Sequence, residues 1–339
     1  MKAIGYYKNL PVDDASALVD LELPEPQPGP HDLLVEIRAV SVNPVDTKLR
    51  RNAAPAEGQA RVLGFDAAGV VRAVGSAVTL FKPGDRVWHA GSIVRPGSNA
   101  QLQLVDERIA GPMPASLDFA QAAALPLTAI TAWELLFDRL QVSRKHSAGQ
   151  ALLVTGAAGG VGSILVQLAR RLTGLRVIAT ASRAETRDWV QQLGAHDVLD
   201  HSRPLAEELR RCGVAQLDYV ASLTHTDQHY DAIVEALKPQ GRLGLIDDPA
   251  TPLDVMKLKR KALSLHWEMM FTRPLFETPD MIEQHRLLGE VARLIDAGVI
   301  RTTLGEHYGR IDAANLRRAH ALVESGKARG KIVLEGFDA

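Results

Sequence analysis

The feature that most constrains this chain of 339 residues is a glycine-rich turn between an apolar run and an amphipathic segment. Residues 151–156 form a short run with branched side chains, which is typical of a buried parallel strand. The glycines of residues 156–162 follow, and residues 163–172 then place apolar side chains at helical spacing. Such glycines let a backbone approach a pyrophosphate, and a helix start offers N–H groups and a positive dipole. Strand, turn and helix therefore predict the phosphate-binding corner of a dinucleotide site.

An ordinary turn between a strand and a helix can carry similar glycines, so the flanking elements are what make this motif informative. From residue 150 onward, strands are predicted near 151–156, 176–182, 197–201, 217–223, 241–247 and 263–271, with helices between them. This order predicts an α/β fold with a doubly wound parallel sheet, whose ligands bind at the carboxyl ends of the strands. The residues of the corner predicted to bind the cofactor are Gly156, Gly159, Gly160, Val161 and Gly162.

The length exceeds what one compact core usually holds, so two domains are expected. A net charge of −1 argues against a nucleic acid or a membrane surface as the main partner. No run of apolar residues approaches the ~18 that would indicate a membrane-spanning helix. Cys212 is the only cysteine, which excludes an intramolecular disulfide and fits a reducing compartment. We therefore expect a cytoplasmic protein that acts on a small molecule.

The first third of the chain is rich in strand and turn signals instead of alternating strands and helices. Strands are predicted over 33–40 and 69–75, and a turn leading into a third strand over 81–88. Helices over 281–299 and 313–325 are predicted to return the chain to this region. We expect a mainly β, partly open barrel from residues 1–125 and 280–339, and a dinucleotide-binding Rossmann domain from residues 126–279.

Three segments of the first third carry a family resemblance. They are AVSVNPVDT at residues 39–47, GFDAAGVV at 64–71 and KPGDRV at 82–87. In this order they resemble the medium-chain dehydrogenase/reductase superfamily, and its quinone oxidoreductase branch in particular. The resemblance continues through the glycine corner to the C-terminus. It implies a catalytic domain beside the nucleotide domain, and a homodimer formed through the nucleotide domain.

The resemblance also predicts that this chain binds no zinc. Zinc-dependent members have a cysteine at the position matching Asn43 and a histidine at the position matching Phe65. A phenyl ring cannot bind a metal, and an amide is a poor zinc ligand. A structural zinc would need four thiolates, and the chain has one cysteine. His225 and His229 lie four residues apart, but a solvated helix start explains them better than a metal site does.

The second predicted strand of the nucleotide domain favours NADPH over NADH. An NAD site places a carboxylate about 20 residues after the glycines, on the ribose hydroxyl. At that distance from Gly162 this chain has Ser182 and Arg183, and the next carboxylate is Glu185. A hydroxyl and a guanidinium suit a 2′-phosphate, and Arg187 lies one helical turn further on. The alternative is that these arginines form a solvated helix face.

Further cofactor contacts are predicted at the ends of other strands. Ser222 is expected beside the adenosine and Ile246 beside the nicotinamide. The resemblance implies that His201 lies near the 2′-phosphate and that Lys331, in the closing strand, passes near the cofactor. Surface charge is the alternative for Lys331.

Four residues are predicted to form the catalytic site. Asn43 stands where the metal ligand of relatives would be and is the expected hydrogen-bond donor to the substrate. Asp46 is expected to position the loop, Lys48 replaces a tyrosine common among relatives, and Thr128 matches a segment that contacts the nicotinamide. Several aromatic residues are candidates for the pocket lining, although core packing explains them as well: Tyr6, Trp88, His266, Trp267 and Phe271.

Together, these expectations predict an NADPH-dependent reductase that acts without a metal on quinones or on alkenes conjugated to a carbonyl. Two alternatives stay open at this point. One is a zinc-type alcohol dehydrogenase with substituted ligands. The other is a non-catalytic NADPH-binding protein that acts as a sensor or structural component.

Overall fold

A computed structural model describes residues 1–337 of the chain. It divides into two compact units. The first unit contains Met1–Ile130 together with the chain from Phe271 onward, and the second contains Thr131–Met270. The sequence places the corresponding boundaries at 125/126 and 279/280.

The strands are β1 (Lys2–Tyr6), β2 (Val19–Glu22), β3 (Asp32–Val42), β4 (Arg61–Val62), β5 (Ala67–Val74), β6 (Arg86–His89), β7 (Leu102–Asp106), β8 (Ala110–Pro112), β9 (Ala151–Val154), β10 (Arg176–Thr180), β11 (Asp197–Leu199), β12 (Leu217–Ser222), β13 (Leu237–Leu245), β14 (Ser264–Trp267), β15 (Leu304–His307) and β16 (Lys331–Glu335). The α-helices are α1 (Pro44–Asn52), α2 (Phe119–Ala123), α3 (Pro126–Trp133), α4 (Gly160–Leu172), α5 (Ala184–Gln192), α6 (Leu205–Arg211), α7 (Thr226–Ala236), α8 (Met256–Lys259), α9 (Thr272–Phe276), α10 (Glu283–Asp296) and α11 (Ala313–Glu324). A 3-10 turn covers Glu107–Ile109 and a π-helix covers Glu134–Arg139.

The second unit is built on a parallel sheet with the strand order β11-β10-β9-β12-β13-β14. This is the doubly wound arrangement that the sequence predicts, and the α/β fold class is confirmed. Each of the six predicted strands has a counterpart in the sheet. Two strands differ from the prediction by four residues at one end. β13 begins at Leu237 and not near 241, passing through the left-handed residue Gln240 (φ 65°), and β14 ends at Trp267 and not near 271.

The first unit is mainly β, as predicted. One sheet has the order β15-β16-β3-β5-β6-β8, with β7 also paired to β3, and a smaller sheet has the order β2-β1-β4. Strand β3 is central, and its alternate residues Val35, Ile37 and Ala39 are buried. Strand β16 pairs antiparallel with β3, so that Ile332 lies opposite Val42. This pairing brings the start of β16 to the end of β3, where the candidate site begins.

One helical segment departs from the expectation about apolar runs. Phe119–Arg139 is long and apolar enough to cross a membrane by length and composition, although Gln121, Thr128 and Thr131 divide its apolar residues into short runs. Within residues 1–337 it is the one helix that meets this test, and 83% of its most apolar window is buried inside the protein. Core helices show the same burial.

Candidate active site

Asn43 lies at the junction of β3 and α1. Pro44 begins the helix with a fixed φ, and Asp46 occupies the third helical position. The Asp46 carboxylate accepts the backbone N–H of Asn43 at 2.8 Å and that of Gly64 at 2.9 Å. Asp46 therefore ties the start of α1 to the segment that precedes β5, which fixes the backbone of Asn43.

Burial dominates the ionisation of Asp46. Desolvation raises the pKa of this carboxyl to about 7, although the N–H donors of Asn43 and Gly64 and the Lys331 charge act in the opposite direction. The group therefore titrates near neutral pH while it holds two backbone segments.

Asp66 is the centre of a buried polar cluster around Asn43, at the junction of β3 and α1. It accepts the Ser41 hydroxyl at 2.9 Å, the Asn43 side-chain N–H at 2.8 Å and the Leu127 backbone N–H at 2.7 Å. The Lys331 ammonium lies 2.9 Å from the same carboxylate. A buried charge requires such partners, and this carboxylate has both a counter-ion and hydrogen-bond donors. We refer to Asp66, Asn43, Ser41 and Lys331 as the Asp66 cluster.

Lys331 begins β16 and is 3% exposed. Its ammonium donates to the Val42 carbonyl at 3.0 Å and to Asn43 Oδ1 at 2.5 Å, in addition to the ion pair with Asp66. The three N–H donors of an ammonium are thereby matched by three acceptors inside the first unit. The surface-charge alternative for Lys331 is wrong, and its predicted cofactor contact receives no support from this geometry.

The other predicted catalytic residues lie in different settings. Thr128 is buried in α3, one residue after Leu127, and donates its hydroxyl to the Leu125 carbonyl at 3.0 Å. Lys48 is exposed on α1. Asn43, Asp46 and Thr128 are thus gathered around the Asp66 cluster, whereas Lys48 lies at the surface.

The aromatic candidates for the pocket lining are divided between core and surface. Tyr6, Trp88 and Phe271 are buried, and the Tyr6 hydroxyl donates to backbone carbonyls of the α1 region. His266 is half-buried, and Trp267 is 53% exposed. For the three buried residues the core explanation is the one that the structure supports.

The side chains at the family's metal-ligand positions do not fit a catalytic zinc ion. Asn43 Oδ1 already accepts the Lys331 ammonium, and a cation there would repel a divalent ion. Phe65 packs edge-on against Phe271, with ring centroids 5.4 Å apart. Among residues 1–337, no group of three or more His, Cys, Asp or Glu side chains is placed to hold a metal.

The glycine corner of the second unit fits the phosphates of a dinucleotide. Gly156 has a φ of +61°, which favours glycine, and Gly159 caps α4. A Cβ on Gly162 would lie 2.5 Å from backbone atoms of Ala157, so that only glycine lets the helix start this close to the turn. Gly159, Gly160 and Val161 are half-buried, and the first turn of a helix has N–H groups without intrahelical acceptors.

The predicted 2′-phosphate residues follow β10 at its carboxyl end. Ser182 and Arg183 are exposed, and the Arg183 guanidinium lies 3.3 Å from Glu185. Arg187 donates to the carbonyls of Ala181 at 3.3 Å and Val198 at 3.4 Å, so part of its guanidinium serves the unit itself.

The remaining predicted cofactor residues differ in exposure. His201 is exposed, and Ile246 is half-buried just after β13. Ser222 is buried, and its hydroxyl is bonded to Thr226 at 2.8 Å, so its side chain faces the interior. Asp247 accepts the Thr226 backbone N–H at 2.9 Å, which gives this carboxylate a role in starting α7.

Sequence reasoning missed the central role of Asp66. The sequence contains a partial signal, because Asp66 directly precedes the apolar residues that form β5, and a carboxylate that is buried at such a point needs partners. No local sequence pattern identifies the partners of Asp66, since Lys331 is 288 residues from Asn43 in the chain.

A second buried acid group lies in the second unit and was also missed. Glu268 follows β14, and its carboxylate accepts the Arg139 guanidinium at 2.8 Å. Burial raises the pKa of Glu268 well above its usual range, and the neighbouring Glu134 carboxyl raises it further. Glu134 and Arg139 are the ends of the π-helix Glu134–Arg139. The raised pKa predicts that the two acids share one proton at neutral pH, beside one arginine.

In Glu268→Gln, the free energy of unfolding is expected to fall less between pH 6 and pH 9 than it does in the wild type. The native pair keeps a proton that an unfolded glutamate releases above about pH 4.3. Because the unfolded state then binds fewer protons, the free energy of unfolding falls as the pH rises from there to the raised pKa. Urea unfolding at pH 6 and pH 9 should show a smaller difference in the free energy of unfolding for the variant than for the wild type.

Glu207 is an exposed residue of α6, and Glu207→Gln should leave this pH difference unchanged. Equal pH dependence in Glu268→Gln and the wild type would contradict the shared proton.

A doubly wound dinucleotide-binding unit joined to a mainly β unit defines a class of oxidoreductases. Comparison with known proteins agrees with this. The family described as alcohol dehydrogenase GroES-like domain matches residues 29–115, and the family described as zinc-binding dehydrogenase matches residues 193–334. The chain belongs to the medium-chain dehydrogenase/reductase superfamily, which confirms the resemblance.

Individual relatives cover nearly the whole chain. A zinc-type alcohol dehydrogenase-like protein of Staphylococcus aureus is 40% identical over 98% of this chain and 99% of its own length. A crystal structure from Rhizobium etli CFN 42, provisionally classed as a zinc-dependent alcohol dehydrogenase, has a TM-score of 0.96 at 58% identity, covering 100% of this chain and 99% of that one. The Escherichia coli quinone oxidoreductase complexed with NADPH has a TM-score of 0.83 at 25% identity, covering 99% and 100%.

Proposed function

We propose that this protein is an NADPH-dependent reductase that transfers hydride to a quinone or to an alkene conjugated to a carbonyl group, without a metal ion. The Asp66 cluster carries this proposal, because Asn43 stands at a position where zinc-dependent relatives have a metal ligand, and its amide oxygen is already bonded to the buried Lys331 ammonium. Without a strong Lewis acid, a simple alcohol or ketone is poorly activated. The acceptor therefore has to be electrophilic on its own.

The chemistry assigns distinct tasks to the chain's residues. When bound, the reduced nicotinamide supplies one hydride, which carries two electrons. In a conjugated alkene a C–H bond forms at the β-carbon, the π electrons shift, and the carbonyl oxygen takes the negative charge. Asn43 donates a side-chain N–H to that oxygen, and Asp46 holds the Asn43 backbone in place. A proton from water then adds to the α-carbon.

The preference for NADPH rests on the residues after β10. Ser182 and Arg183 are exposed there, and neither is a carboxylate that would repel a 2′-phosphate. The name of the E. coli structural relative, a quinone oxidoreductase complexed with NADPH, supports the same cofactor. His201 and Ile246 remain candidate contacts because both reach the surface of the second unit.

Arg183→Ala is expected to lower kcat/KM for NADPH by about 10- to 100-fold, since a hydrogen bond to a charged group contributes about 1.5–3 kcal/mol. The value for NADH should stay within about twofold, because NADH has no 2′-phosphate to lose a partner. Steady-state kinetics with both cofactors give the ratio.

Arg210→Ala removes the same charge from an exposed position of α6 in the same unit and should change neither value. A loss shared equally by NADPH and NADH in Arg183→Ala would contradict the assignment of Arg183 to the 2′-phosphate.

Oxidation of NADPH over a panel of quinones, enals and simple ketones tests the activity directly. We expect turnover of the quinones or enals and none of the ketones. Asn43→Ala should lower kcat by about 100-fold, the usual effect of removing an oxyanion donor. Metal analysis of the same preparation completes the test. A stoichiometric zinc would overturn the metal-free proposal, and binding of NADPH without any turnover would indicate the non-catalytic alternative.

We also propose that the protein is a cytoplasmic homodimer that pairs through its second unit. β14 is an edge strand of the described sheet; its last residue, Trp267, is 53% exposed, and Met269, two residues further on, is 47% exposed. Exposed apolar residues beside an open sheet edge suit pairing with a second copy. Light scattering of the purified protein measures the state.

A further inference from the structure

The side-chain amide of Asn43 is held in a closed triangle of charged partners. Lys331 Nζ donates to Asn43 Oδ1 at 2.5 Å, Asn43 Nδ2 donates to Asp66 Oδ2 at 2.8 Å, and that same oxygen lies 2.9 Å from Lys331 Nζ. A cation on one side and a carboxylate on the other leave a single sensible orientation of the amide oxygen and nitrogen. All three residues are buried.

We infer that Lys331 is a positioning residue that polarises the Asn43 amide for the reaction. This inference rests on the proposed function, in which Asn43 donates to the acceptor oxygen. A cation at Oδ1 draws electron density from the amide nitrogen and strengthens both of its N–H donors. One of these donors is bonded to Asp66, and the second is the one assigned to the acceptor. Lys331 therefore acts through Asn43 and touches neither the substrate nor the cofactor.

Burial makes this polarisation effective. The ammonium is 3% exposed, so water screens it little, and its field acts on the amide at short range. The ion pair with Asp66 fixes the position of the ammonium, while Ser41 and the Leu127 backbone N–H are also bonded to that carboxylate. The pairing of β16 with β3 sets the geometry, because Ile332 lies opposite Val42.

A double-mutant cycle tests the inference. Lys331→Met is expected to lower kcat for the best acceptor of the panel by about 10-fold, and to leave the dissociation constant of NADPH within about twofold. In the Asn43→Ala background the same substitution should have almost no further effect, because the group that it polarises is gone. Lys331→Arg, which keeps the charge, should recover part of the loss.

Three results would overturn the inference. A weaker affinity for NADPH in Lys331→Met would make Lys331 a cofactor residue. An equal loss of kcat in the wild-type and Asn43→Ala backgrounds would make its role purely structural, and so would a Lys331→Arg variant as poor as Lys331→Met. If Lys331→Met gives no cooperative thermal transition, Lys331→Gln replaces it in the cycle, since glutamine donates a hydrogen bond without the charge.

An NMR measurement that does not depend on catalysis tests this inference separately from the proposed function. The ¹H–¹⁵N signal of the Asn43 side chain is identified by its absence in Asn43→Ala. It should move upfield in the uncharged Lys331 variant, and an unmoved signal would refute the polarisation. If the wild type reduces no acceptor, the proposed function fails, while the shift of this signal still decides whether Lys331 polarises the amide.

Discussion

Asp66→Ala is expected to lower the free energy of unfolding by about 3–5 kcal/mol, the range seen when one partner of a buried ion pair is removed. The substitution leaves the Lys331 ammonium buried without its counter-ion, and it deprives Ser41 and the Leu127 backbone N–H of their acceptor. Urea unfolding of wild type and variant at pH 7 measures the difference. We expect the midpoint to fall with little change in the slope.

Two further variants show that the loss comes from the buried charge. Arg72→Ala breaks the ion pair with Glu36, in which Arg72 is 60% exposed, and should change stability by less than about 1 kcal/mol. Asp66→Ala combined with Lys331→Met removes both charges and should recover part of the loss. If the double variant is less stable than Asp66→Ala alone, an unpaired ammonium is not the cause.

The sequence predicts those parts of the fold whose signals are local. The glycine corner, the strands around it and strand β3 depend on residues that are close neighbours in the chain, and each is found near the expected place. β13 begins earlier than predicted because Leu237 pairs with Leu217 of β12. The register then shifts around the left-handed residue Gln240, and no local pattern indicates this.

The Asp66 cluster could be anticipated only in part. Asn43 is predictable as a site residue from the family resemblance. Lys331 heads an apolar run, and a charge at that point is equally typical of a surface strand end. Its burial follows from the pairing of β16 with β3, a contact between distant parts of the chain. Glu268 is similar, because only the fold brings Glu134 beside it.

Gly162→Ala is expected to damage both stability and cofactor binding. Replacing an exposed glycine in a helix by alanine normally raises the free energy of unfolding by about 1 kcal/mol. Here the new Cβ would lie 2.5 Å from Ala157 Cα and from the Ala157 carbonyl oxygen, and neither backbone atom can move without shifting the turn. Overpacking of this kind usually destabilises by about 1–3 kcal/mol, so the clash outweighs the helix propensity. The shifted start of α4 should weaken NADPH binding by more than about 10-fold.

Gly159→Ala separates the effect on stability from the effect on cofactor binding. A Cβ on Gly159 would meet only the Gly156 carbonyl oxygen, at 3.4 Å, and its φ of −73° suits alanine. Thermal unfolding should therefore stay close to that of the wild type. Its methyl group would nevertheless stand where the pyrophosphate is expected to approach the backbone, so the dissociation constant of NADPH, measured by fluorescence, should rise. If Gly159→Ala binds NADPH as tightly as the wild type, the phosphates lie elsewhere, because a clash with the fold cannot explain that result.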